Sequence, residues 1–305
     1  MTRPALWLAL VAAVVPAAAQ DARNAVHPPA GSFDWSFRAE HPDAARLFNA
    51  FDYGHAVLYE RLLTLDSARA PAALERGYRV LLDDLLVQPP RFGVPEEAIA
   101  PAYARWAWPA MAAFDRAHVL HRQLYDVHAD PRLPPARQHL LAERLIDAYL
   151  ADTRYAFAAV AKSMALMDDQ SFSQRFRREH PAFNGLIWAY HWLQVGFYET
   201  LGTTSDPADQ RAGVARQVAT FRAMIADPAG HPATMPMTAD IAPRFAELHP
   251  RAAAVFDNLH MLHDIISDVL ANPEWSRGEK RAVILAQLAE MRDGTRNLME
   301  AGHVH

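Results

Sequence analysis

Eight residues, Phe114-Asp115-Arg116-Ala117-His118-Val119-Leu120-His121, return as Phe256-Asp257-Asn258-Leu259-His260-Met261-Leu262-His263. Both copies read F-D-x-x-H-x-L-H. Residues three apart on an α-helix differ by about 60° around the axis and about 4.5 Å along it. Each copy therefore sets a carboxylate and two imidazoles on one helical face. The flanking Phe114, Val119, Leu120, Leu124, Phe256, Leu259, Met261 and Leu262 make both helices apolar nearly all round, and such helices are normally buried. The chain must fold so that two buried helices can each accommodate a column of polar side chains.

The repetition is longer than the motif. Phe37-Arg38-Ala39-Glu40-His41-Pro42 recurs as Phe176-Arg177-Arg178-Glu179-His180-Pro181, a displacement of 139 positions that also carries Tyr59-Glu60 onto Tyr198-Glu199. The displacement is 142 positions for Asp115 and Asp257, and for Asp126 and Asp268. This period is too long for a solenoid and indicates duplication of a whole helical unit about a pseudo-two-fold axis. Proline and glycine cluster between long apolar-periodic stretches, which predicts helices over 42–66, 71–87, 96–129, 135–168, 181–203, 207–227, 243–271 and 275–300. The expected fold is all-α, a helical bundle built by internal duplication of a four-helix unit. Residues 37–170 form the first repeat and 171–305 the second, with the site between or within them.

Charge and composition narrow the function classes. The formal charge is −5 and no Lys/Arg run occurs, so nucleic acid is not an expected partner. Arg3, the apolar run Ala5–Val15 and Ala17-Ala18-Ala19 read as a secretory signal over 1–19, followed by an extension over 20–36. The apolar run is shorter than a membrane span needs. The expectation is a secreted or periplasmic protein, not stably inserted in a membrane after signal removal. The absence of cysteine excludes disulfides, thiolate metal sites and iron–sulfur clusters.

Polar residues recur on the first and third helices of each half. The first helices carry Asp52, His55 and Glu60, aligned with His191, Gln194 and Glu199. The third carry Asp115, His118 and His121, aligned with Asp257, His260 and His263. A register between first and third helices puts Asp52, His118, His191 and His260 on one level and His55, His121, Gln194 and His263 on the next. One divalent ion cannot readily take three ligands from one helix, since each must approach to about 2.0–2.2 Å. Several helices are expected to contribute two neighbouring positions each. The bland alternative is a metal-free network of polar hydrogen bonds, or columns facing solvent; burying so many polar groups without partners is costly. An aspartate can also serve by orienting a ligating imidazole. His128 and His139 read as surface residues, Met235-Pro236-Met237 as a loop with a faint copper(I) character, and Gly302-His303-Val304-His305 as an exposed tail.

A glutamate on one helix and a carboxylate-x-x-His pair on another, all repeated, resembles the ferritin-like di-metal carboxylate proteins. The matching residues are Glu60 with Asp115 and His118, then Glu199 with Asp257 and His260. The resemblance implies a dinuclear iron or manganese centre in a helical bundle. In this chain Asp stands for the usual Glu of the carboxylate-x-x-His motif, and His55, His121, His191 and His263 are additional, which admits zinc or copper as well. The expected function is an exported metal-dependent oxidoreductase acting on a small molecule or an oxygen species. The alternative is a non-enzymatic protein that binds, stores or delivers iron, zinc or copper.

Overall fold

The structure is a computed structural model and describes residues 31, 33–65 and 69–299 of the 305-residue chain, with the side chain of Asp52 left out. The expected signal over 1–19, most of the extension over 20–36 and the tail Gly302–His305 lie outside the described residues.

The described chain is all-helical; a single isolated bridge, Lys162 with Leu298, is its sole extended pairing. The first half runs through α1 (Ser36–Glu40), α2 (Pro42–Thr64), α3 (Ala70–Arg79, continued by a π-helical turn Val80–Leu85), α4 (Glu96–Ile99), α5 (Pro101–Trp106), α6 (Trp108–Ala129) and α7 (Pro135–Ala151). After a connecting α8 (Ala165–Asp168), the second half repeats the order. It comprises α9 (Arg175–Glu179), α10 (Pro181–Thr203), α11 (Pro207–Ile225), α12 (Thr238–Ile241), α13 (Pro243–Leu248), α14 (Pro250–Ala271) and α15 (Arg277–Arg292). The paired elements also agree in length: α2 and α10 have 23 residues each, α6 and α14 have 22 each.

Proline sets most of the boundaries. The predicted helix over 96–129 is three helices, and that over 243–271 is two. Pro101, Pro109, Pro243 and Pro250 each fall in the first turn of a helix, where the missing N–H is not needed; deeper in a helix it would break the ladder. The stretch 135–168 leaves the helix after Ala151, and the last helix ends at Arg292.

Breaking the helices frees backbone N–H groups, and carboxylates satisfy them in matching pairs. Asp126 accepts from the N–H of Trp35 and Phe37, and Asp268 from those of Gln174 and Phe176. The Asn258 amide, accepting from Lys162 N–H and donating to the carbonyls of Ala158 and Val160, pins the segment between the halves onto α14. The core is continuous, and α2, α6, α10 and α14 contribute its middle, with Phe51, Phe114, Tyr59, Tyr198 and Phe256 buried there. No helix among the described residues is long and apolar enough to cross a membrane.

Candidate metal centre

Polar side chains collect where α2, α6, α10 and α14 meet. His55 from α2, His191 from α10 and His263 from α14 are all fully buried, and each offers a ligand atom within 4.8 Å of the others'. Their rings lie nearly parallel: His55 and His263 have centroids 3.9 Å apart, and His55 and His191 5.4 Å. A second group shares His263: Glu96 of α4 and His118 of α6 bring ligand atoms within the same 4.8 Å. His118 Nδ1 lies 2.9 Å from Glu96 Oε1. His260, one turn before His263, stacks on His191 at 4.0 Å.

Neither ring nitrogen of His55, His191, His260 or His263 has a hydrogen-bond partner among the described residues. Leaving a buried polar group unsatisfied costs about 1–3 kcal/mol, so four such rings cost on the order of 10 kcal/mol. That rivals the whole net stability of a domain, about 5–15 kcal/mol. The cluster is therefore not held by hydrogen bonds among the described side chains. Burial holds His55, His191 and His263 well below the ordinary 6.5, and the neighbouring imidazoles push the same way. Burial likewise lowers His260, to about 3. Neutral imidazoles keep a lone pair for a metal, and the donor set fits a divalent ion.

The sequence motifs supplied the histidines but not the carboxylate. Glu60 accepts from the N–H of Ala102 and Tyr103, and Glu199 from the N–H of Arg244. Both cap the short helices that Pro101 and Pro243 begin, α5 and α13. Asp257 accepts from the N–H and hydroxyl of Thr238, at 2.8 and 2.7 Å. These three expected ligands are thus engaged with helix starts. Asp115 sits with His118 on the wall of a cavity of about 330 Å³, which Asp34, Glu97, Val119 and Arg122 also line. His121 is turned aside: Tyr198 Oη lies 2.8 Å from its Nδ1 and Phe256 stacks on it at 3.6 Å. Asp52 lies on α2 with its side chain outside the described residues. Glu96 was not foreseen, because in sequence it reads as an ordinary first-turn acid after Pro95.

The two halves differ at the positions that matter. Tyr59 Oη donates to His263 O, and its counterpart Tyr198 donates to His121 O. Yet Gln194 stands where the first half has His55, and Thr238 where it has Glu96, at displacements of 139 and 142 positions. The second half therefore lacks two of the donors, and His121 is held by a tyrosine instead. The two buried ligand groups have His263 of the second half in common. The expected levels are interleaved accordingly, with His191 between His55 and His260.

The described residues thus include buried His/Glu groups able to hold a metal ion, in an all-helical bundle. Comparison of the chain with models of protein families, with curated proteins and with solved structures returned no match.

Proposed function

We propose that this chain is an exported metal-dependent redox protein with a dinuclear centre. His55, His191 and His263 would hold one ion and Glu96 and His118 the other; a neutral His263 has one lone pair, so it would serve both only as the imidazolate. The observation that carries this reading is the sharing of His263 by two buried ligand groups. Helix bundles build such centres from side chains on facing helices. When bound, the ions would supply one-electron chemistry and a site for oxygen or peroxide. Four histidines with a single carboxylate favour iron or copper over manganese, and zinc also fits.

The protein's part is to hold, shield and admit. Phe51 packs edge-on to His55 and His118 at 4.6 and 5.8 Å, and Phe114 to His263 at 4.2 Å. These rings fix imidazole orientation and exclude water. The cavity of about 330 Å³ reaches His118, which supports access by a small molecule on the Glu96 side. Export rests on Arg3, the apolar Ala5–Val15 run and Ala17-Ala18-Ala19.

The complete burial of His55, His191 and His263 favours a second reading, a non-enzymatic protein that stores or delivers metal. Elemental analysis of the mature, untagged protein separates them. About two equivalents of iron or copper per chain, with oxidation or reduction by oxygen or peroxide, supports the enzyme. Zinc, or redox-silent copper, supports holding or delivery. A metal-free protein after anaerobic reconstitution would sink both.

A further inference from the structure

His139 and Glu143 stand one turn apart on α7, and the chain brings His249, the residue between α13 and α14, against them. Glu143 Oε1 is 2.7 Å from His249 Nδ1, and the His139 and His249 rings stack with centroids 5.1 Å apart. One ligand atom from each lies within 4.8 Å of the others. We propose that His139, Glu143 and His249 form a second, solvent-reachable site for a divalent transition ion of the zinc class, which ties α7 to the start of α14.

Several observations support this. His249 is 1% exposed and its Nε2 has no partner among the described residues; the same holds for Nε2 of His128, 5% exposed, whose ring lies 5.3 Å from His249. His128, expected on the surface, is thus buried behind the site. His139 is exposed and Glu143 partly so, which leaves a route from solvent. Arg251 donates to the other carboxylate oxygen of Glu143 at 2.6 Å and to Asp147 at 2.8 Å, fixing the carboxylate. Two imidazoles and one carboxylate, with a fourth position for water, are a zinc ligand set. At the corresponding junction of the other half, Arg281, displaced 142 positions from His139, donates to Trp106 O. The site is separate from the buried cluster, since His249 precedes His260 by 11 residues, roughly 16 Å of helix.

The test uses the full-length protein, stripped with a chelator and titrated calorimetrically with zinc chloride alone. His139→Ala, a change at an exposed position, should remove one equivalent while the buried equivalents remain. Glu143→Gln should weaken that same equivalent at least tenfold. In a His55→Leu variant the surface equivalent should persist, so failure of the buried-site reading would leave it standing. If His139→Ala binds the same number of ions with the same affinities as the unaltered protein, the proposal is overturned.

Discussion

His55 and His263, one from each half of the chain, stack with ring centroids 3.9 Å apart, fully buried and with all four ring nitrogens lacking a partner among the described residues. A core does not tolerate that arrangement for its own sake. It trades folding stability for ligands held ready, and this trade is measurable.

Replacing His55 by Leu removes two unsatisfied polar atoms at similar volume. The metal-free protein should become more stable by about 1–3 kcal/mol, while losing metal from the centre. Urea melts of the chelated variant, paired with elemental analysis, check both. A destabilised variant that still holds its full metal complement would show that His55 is an ordinary core residue.

Glu60 and Glu96 should separate cleanly. Glu60→Ala removes the cap of α5 and should cost about 0.5–2 kcal/mol without changing metal content. Glu96→Ala should lower metal content with the fold retained, as read by far-UV circular dichroism. The reverse pattern would restore the assignment suggested by the carboxylate-x-x-His resemblance.

Burial raises the Asp257 carboxyl from 3.8 to about 7, against the bonds it accepts from Thr238. Its pKa is higher folded than unfolded, so its contribution is present at pH below about 4 and is lost as pH rises through about 7. The buried histidines, lowered by burial, make stability rise over the same range, so Asp257→Asn should make the change in stability from pH 5 to pH 8 more positive than in the parent, by about 3 kcal/mol. Denaturant melts of the metal-free protein at the two pH values decide it; parallel slopes for variant and parent would contradict the assignment.

Val119 lines the cavity that reaches His118. Val119→Trp should fill that space and slow metal loading of stripped protein several-fold, with final metal content unchanged. Unaltered loading kinetics would mean that ions and small molecules arrive by another route.

The helices and their order were legible because their signals are local. Apolar periodicity and the prolines at 42, 181 and 207 mark helices that the structure reproduces, and the F-D-x-x-H-x-L-H repeat placed His118, His260 and His263 on helices that do converge. Pro101 is equally visible in the sequence, but its consequence is not: breaking the helix over 96–129 frees N–H groups that claim Glu60 and lets α4 bring Glu96 to His118.

The sequence by itself determined an all-helical chain, repeated in two halves, with histidines on buried faces; spacing along one helix suffices for that. Which polar residues share a site depended on how α2, α6, α10 and α14 cross and rotate against one another. Only the tertiary structure decided that Asp257 serves Thr238, that Tyr198 and Phe256 occupy His121, and that His55, His191 and His263 face each other. A carboxylate satisfies a backbone N–H or a metal with the same oxygens, and the choice is made by what the fold brings within reach.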